Sequence, residues 1–231
     1  MKLQDKVAIV GGGTGAVGEG IVKTLLSHGA TVIVPMRSLE KEESLRQYVA
    51  PTRTGSLVTY AYNIGQIEQA EAFREAVLHE FGRIDMVVAS LGGWSMMHHL
   101  VDMPMAKWKE VLHNNLTTHF LFAKTFIPVL EKQNNGLYVN INGGAQENIA
   151  PLAGAMTIIS SAQNRMVEVL HHEAREANYR VRSIAAFTPV QTRARGSAVD
   201  SSWVSAEDLG NHIAKLYLGK VSPDPITHKL T

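Results

Sequence analysis

Short runs of β-branched and aliphatic residues alternate along the whole chain with longer stretches whose apolar positions recur at helical spacing. The short runs, residues 7–10, 31–34, 57–60, 86–89, 137–141, 181–186 and 226–230, predict strands. Helices are predicted near residues 16–28, 38–49, 66–81, 104–131, 154–178 and 205–218. Such regular alternation predicts parallel strands joined by right-handed crossovers, with helices covering both faces of one sheet. The strands are almost wholly apolar, as burial on both faces requires. Pro128 falls late in the fourth helical stretch and predicts a kink or an end there. No linker, repeat or low-complexity tract divides the 231 residues, so a single domain, 1–231, is predicted.

Between the first strand and the first helix stands Gly13-Thr14-Gly15-Ala16-Val17-Gly18, a GxGxxG pattern. In a chain with 19 glycines the pattern alone says little, but its place between strand and helix has a physical meaning. Glycines permit a tight turn and close approach of a pyrophosphate, which the unpaired N–H groups at the helix start can hold. The other reading is a tight turn with no ligand.

Further along come Phe81-Gly82-Arg83-Ile84-Asp85 before a strand, Asn115-Leu116 within a helix and Val181-Arg182 opening a late strand. Taken in order with the glycine turn, these resemble the short-chain dehydrogenase/reductase superfamily over almost the whole chain. The resemblance implies an α/β fold, a Rossmann-like doubly wound parallel sheet of about seven strands, and an oxidoreductase using a nicotinamide dinucleotide. The family's TGxxxGxG maps onto Gly11, Gly12, Ala16 and Gly18, so its Thr is Gly11 and its middle glycine Ala16, with Gly15 one step earlier. Gly12, Thr14, Gly15, Ala16, Val17 and Gly18 are therefore the expected pyrophosphate loop.

The end of the second strand selects between cofactors. NAD enzymes place an acid there for the ribose 2′-hydroxyl, whereas this chain has Met36 followed by Arg37 and Ser38. A guanidinium beside an uncharged residue suits a 2′-phosphate, so NADP(H) is expected over NAD(H); a solvated surface Arg is the alternative. By resemblance, Asn63 and Ile64 would border the adenine, with Asn63 replacing the family's Asp. The family's NNAG reads Ala89-Ser90-Leu91-Gly92, so that only its glycine is kept, and Thr188 and Thr192 would border the nicotinamide.

The family's catalytic signature is a Ser, a Tyr thirteen residues later and a Lys four beyond. Aligned through Tyr138-Val139-Asn140-Ile141, those positions read Gly143, Met156 and Ser160. Of the tetrad, Asn115 alone matches, with active-site duty and helix packing both open to it. A positioned acid or base typically contributes about 10²–10⁴-fold in rate, so the usual carbonyl/alcohol chemistry is expected to be absent or very weak. Trp94, His98, Asn142, Gln146 and Met156 are the expected pocket residues. His98 and His99 are chemically able to replace the lost acid, although loop histidines are more often merely solvated. Arg193 and Arg195, in a short segment where relatives have a longer lid, could clamp an anion or face solvent. His171-His172-Glu173 has adjacent histidines, not a ligand pair at i, i+4, and reads as a solvated helix face with no metal.

Composition narrows the partners. Lys plus Arg numbers 22 against 21 Asp plus Glu, which gives no electrostatic case for nucleic acid or an acidic membrane surface. With no Cys there is neither thiolate nucleophile nor disulfide. A cytoplasmic location is expected, as is a homodimer or homotetramer through the helices near 104–131 and 154–178. The latter offers Met156, Ile159, Met166, Val167 and Leu170 at helical spacing, which also suits a core stripe. The functional readings are an atypical oxidoreductase, a non-redox enzyme on the same scaffold (lyase, isomerase or cyclase), or a non-enzymatic NADP(H) sensor or subunit. The substrate is not legible.

Overall fold

The computed structural model describes residues 2–231 except Arg53, Met96, Met97, Asn148 and Arg175, and leaves the side chains of Leu39 and Gln146 undescribed. Seven strands form one sheet: β1 (Val7–Gly11), β2 (Thr31–Met36), β3 (Ser56–Ala61), β4 (Met86–Ala89), β5 (Gly136–Gly143), β6 (Tyr179–Ala186) and β7 (Thr227–Leu230). All pairings are parallel and the order is β3-β2-β1-β4-β5-β6-β7. Strand order therefore reverses between β1 and β4, where a crevice opens at the carboxyl ends.

Alternate strand residues feed two cores. Ala8, Val10, Val32, Val34, Met86 and Val88 face α1 (Gly18–Ser27), α2 (Glu42–Val49) and α7 (Ala206–Tyr217). Val7, Ile9, Ile33, Val87 and Tyr138 face α3 (Ile67–Phe81), α5 (Thr118–Gln133) and α6 (Gly154–Glu173). The first layer is tight where α1 meets α7. A Cβ on Gly20 would lie 2.4 Å from Ala206 Cβ, and one on Gly210 would lie 2.7 Å from Thr24 Cβ. The start of α7 is fixed by a capping box, Ser205 Oγ accepting from Asp208 N while Asp208 accepts from Ser205 N.

Two expectations are corrected. The helix read over 104–131 is two helices, α4 (Met105–Leu112) and α5, joined by a π-helical turn His113–Thr117. Pro128 ends nothing: α5 runs through it to Gln133. Pro128 and Lys124 are both exposed, so the carbonyl that loses its proline-side donor lies on the solvent side. The apolar stripe of α6 also turns inward. Ile159 packs with Val111 and Ala155, and Val167 joins the sheet core, so both are consumed within one chain. The large hydrophobic side chains that α5 and α6 do expose are Phe120, Ile158 and Val169. At the end of α6, His171 Nδ1 accepts from Arg182 Nη1 at 2.9 Å. No described helix is long and apolar enough to cross a membrane.

The Arg83-Ile84-Asp85 segment explains itself structurally. Asp85 is buried, accepting from Val7 N at 2.9 Å, from Arg83 Nε at 3.0 Å and from Tyr217 Oη at 3.0 Å. One carboxylate thus joins the start of β1, the start of β4 and the end of α7. Each buried donor left without a partner costs about 1–3 kcal/mol. Asp85→Ala, which strands two of them, is expected to lower unfolding free energy by about 2–4 kcal/mol in urea titration.

Candidate functional site at the sheet switch point

The β1–α1 turn is built against backbone. Gly12 has φ +75°, and a Cβ there would lie 2.0 Å from Ser90 O, at the end of β4. A Cβ on Gly18 would lie 2.1 Å from Gly12 O. No side chain caps α1; Glu19 N donates to Gly15 O of the turn at 2.9 Å, and Gly18 at the helix start lines the crevice.

Above this turn is a cleft of about 720 Å³. Gly15, Ala16, Val17 and Gly18 line it from the turn, and Ser90, Leu91, Gly92 and Trp94 from the end of β4. Asn115, Asn142, Gly143, Met156, Thr188, Thr192 and Arg195 are the other sequence-derived residues that the fold brings together there. The other expected residues lie outside the lining. Gly12 is beneath it, pressed on Ser90, and Thr14 stands in the turn. Arg37 and Ser38 are exposed just past β2. Asn63 Oδ1 accepts from Gly65 N at 3.1 Å, and Ile64 is buried beside it. His98 is half-buried away from the cleft walls, and His99 is exposed. The backbone of Gln146 closes a 3-10 turn, Gly144–Gln146, but its side chain lies outside the described residues.

The β5 end is held by amides. Asn142 Nδ2 donates to Ser160 O and to Asn164 Oδ1, both at 3.0 Å. Its Oδ1 accepts from Gly143 N at 2.9 Å and from Ser160 Oγ at 2.7 Å. Asn142 thus pins β5 to α6 and spends its polar atoms doing so. Asn115 behaves alike: Nδ2 donates to Val111 O at 3.0 Å and Oδ1 accepts from Gly93 N at 2.8 Å, which ties the π-helical turn to the loop after β4. A Cβ on Gly143, by contrast, would meet nothing within 4 Å. Met156 lines the cleft and packs beside Val111, Ala155 and Ile159.

Arg193 is not an anion clamp. It forms a two-pronged pair with Glu19 at 3.1 and 2.8 Å, donates to Ser44 Oγ at 2.9 Å, and lies over the Tyr48 ring. Glu19 stands in the first turn of α1, so this pair ties the segment after β6 to the helix that opens at the cleft. Gln191 closes the base of that segment, donating to Asp200 O at 2.9 Å and Trp203 O at 2.7 Å. Arg195 does reach the cleft, with its guanidinium over the Trp203 ring.

One buried feature escaped sequence reading. Gln163 donates through Nε2 to Asn115 O and accepts from Asn140 Nδ2 at 3.3 Å. Asn140 Oδ1 meets His119 Nδ1 at 2.6 Å, and His119 Nε2 meets Leu91 O at 3.1 Å. Burial pushes the His119 ring below the ordinary imidazole range, against the opposing effect of its hydrogen bonds to Leu91 and Asn140. The available signal was a polar residue in the buried row Ile159, Gln163, Val167 of α6.

The family profile described as short chain dehydrogenase matches residues 6–202. An uncharacterised oxidoreductase of Staphylococcus saprophyticus is 22% identical over 228 residues, covering 99% of this chain and 89% of its own. A 3-oxoacyl-[acyl-carrier-protein] reductase of Vibrio cholerae is 27% identical over 169 residues, covering 70% and 67%. A metagenomic short-chain oxidoreductase solved in complex with NADP superposes with a TM-score of 0.81 at 23% identity, covering 99% of this chain and 96% of that one. An NAD⁺-bound xylitol dehydrogenase gives 0.86 at 18% identity, covering 100% and 99%.

The contrast between Asn142 and Gly143 is measurable. Asn142→Ala removes several hydrogen bonds at one clamp and is expected to cost about 1–3 kcal/mol of stability. Gly143→Ser enters open space and is expected to change stability by less than about 0.5 kcal/mol. Paired denaturant titrations decide it.

Proposed function

The chain belongs to the short-chain dehydrogenase/reductase superfamily, and on that footing we propose an atypical oxidoreductase-like protein that binds NADP(H) and lacks ordinary carbonyl/alcohol turnover. The cofactor fits the residues present. Gly12 and Gly18 stand where a Cβ would strike backbone, and the uncapped start of α1 offers N–H groups to a pyrophosphate. Met36 is buried and uncharged, so no acid opposes a 2′-phosphate, and the Arg37 side chain is free to reach one from the exposed end of β2. Bound there, the nicotinamide would supply hydride-exchange chemistry. The protein's own residues would hold the dinucleotide, with Leu91 and Gly92 flooring the cleft and Thr188 and Thr192 at its far wall.

The observation that carries the reading of weak turnover is the chemistry at the ends of β5 and α6. A carbonyl accepting hydride needs a proton donor and support for the developing oxyanion. Met156 has no ionisable proton and Gly143 no side chain. The Ser160 hydroxyl donates to Asn142, and the amides of Asn142 and Asn115 are committed to fold contacts. This same commitment favours, as a second reading, a nucleotide-binding protein with no turnover. We place a homodimer or homotetramer on the outer faces of α5 and α6, where Phe120, Ile158 and Val169 are exposed.

Hydrogen bonds to charged groups contribute about 1.5–3 kcal/mol, so Arg37→Ala is expected to weaken NADPH binding roughly ten- to hundredfold and leave NADH nearly unchanged. Equal affinity of the unmutated protein for both dinucleotides, in calorimetry, overturns the preference. For catalysis, transfer of label from deuterated NADPH to generic diketones and quinones is expected to be absent or very weak, and to rise in the triple variant Gly143→Ser, Met156→Tyr, Ser160→Lys. Ordinary dehydrogenase rates in the unmutated protein refute this account.

A further inference from the structure

The buried chain from Asn115 O through Gln163, Asn140 and His119 to Leu91 O has four contacts, and both of its ends are backbone carbonyls. Each contact needs one donor. Gln163 and Asn140 each present one donating and one accepting face, and a neutral imidazole likewise presents one of each. Three donating faces cannot serve four contacts. The count is the same however the two amides are turned, because turning an amide only exchanges its faces. One contact must therefore bring two acceptors together unless the ring carries a second proton.

If the ring held its proton on Nε2, the missing donor would move to a contact among Asn140, Gln163 and Asn115, which are 0%, 5% and 5% exposed. With the proton on Nδ1, the shortfall falls at the carbonyl of Leu91, a half-buried residue that lines the cleft, the least enclosed end of the chain. An unmet acceptor costs least where solvent reaches it. The 2.6 Å contact from Nδ1 to Asn140, against 3.1 Å from Nε2 to Leu91, agrees with that placement.

We propose that His119 is a positioning residue operated by one proton: neutral, it bonds Asn140 through Nδ1–H; protonated, it also grips Leu91 O and fixes the Ser90–Leu91–Gly92 floor of the cleft. The groups facing the ring are Leu91 from the loop after β4 and Asn140 from β5, with Gln163 of α6 behind Asn140. Among the described residues no carboxylate, ammonium or guanidinium contributes to its field. Because burial disfavours the charged ring, uptake falls on the acid side of an ordinary imidazole. The link to ligand affinity rests on the dinucleotide reading of the cleft; the proton and the carbonyl do not.

The test is nitrogen-15 NMR of the full chain with labelled histidine, together with the carbon-13 shift of the Leu91 carbonyl, from about pH 8 to pH 5. The His119 ring is assigned by loss of its signal in His119→Gln, or as the ring whose N–H is best protected from solvent exchange. The expected result is a proton on Nδ1 at the alkaline end and a single titration that adds one on Nε2. The Leu91 carbonyl should shift with the same midpoint. An Nε2–H ring at the alkaline end, a ring that stays neutral throughout, or a Leu91 carbonyl indifferent to the ring overturns the proposal. NADP⁺ affinity should also tighten on acidification, by up to about tenfold, the scale of one hydrogen bond. The 2′-phosphate titrates in the same range, so the deciding quantity is the part of that slope that His119→Gln removes. A slope unchanged in the variant overturns the positioning role. Failure of NADP⁺ to bind at any pH refutes the cofactor reading and leaves the ring and carbonyl titrations to decide the proposal.

Discussion

The structure depends on a close approach of backbone to backbone at the sheet's reversal point. The turn after β1 lies on the end of β4 with no room for a side chain at Gly12, and α1 departs over that turn with none at Gly18. These approaches set the angle at which α1 leaves the sheet and bring the turn and the start of α1 to the crevice. The rest of the site is arranged around that fixed corner: the β4 loop as floor, β5 and α6 as one wall, and the segment after β6 as the other.

What holds these walls is a set of side-chain amides. Asn115, Asn142, Asn140 and Gln163 each join two elements, and each uses its donor and acceptor in doing so. Amides are well suited to this work, since they satisfy buried backbone groups without bringing a charge out of water. They are poor proton donors for the same reason.

The strands were legible because β-branched runs such as Val7-Ala8-Ile9-Val10 have few other uses in a chain of this composition, and the glycine turn was legible from its place after one of them. Other features were not. β5 runs on to Gly143, a residue with no strand preference, because pairing with β6 carries it there. The π-helical turn comes from one extra residue per turn, which leaves no mark on hydrophobic spacing. Arg193 read as a free cation since its partner Glu19 is 174 residues away, a distance that charge patterning along the chain cannot bridge. The α6 stripe was ambiguous between core and interface until packing assigned Ile159 and Val167 to the interior.

The contact of α1 with α7 has a consequence for how the protein is made. The ribosome emits α1, which begins the cleft-facing corner, well before the surface that covers it, including Ala206 and Gly210 of α7. The carboxylate of Asp85 likewise waits for Tyr217. Domains usually fold as units once their chain is available. The first strand–turn–helix unit must therefore keep part of its apolar face uncovered until α7 has been made, and that face needs protection on the nascent chain in the interval.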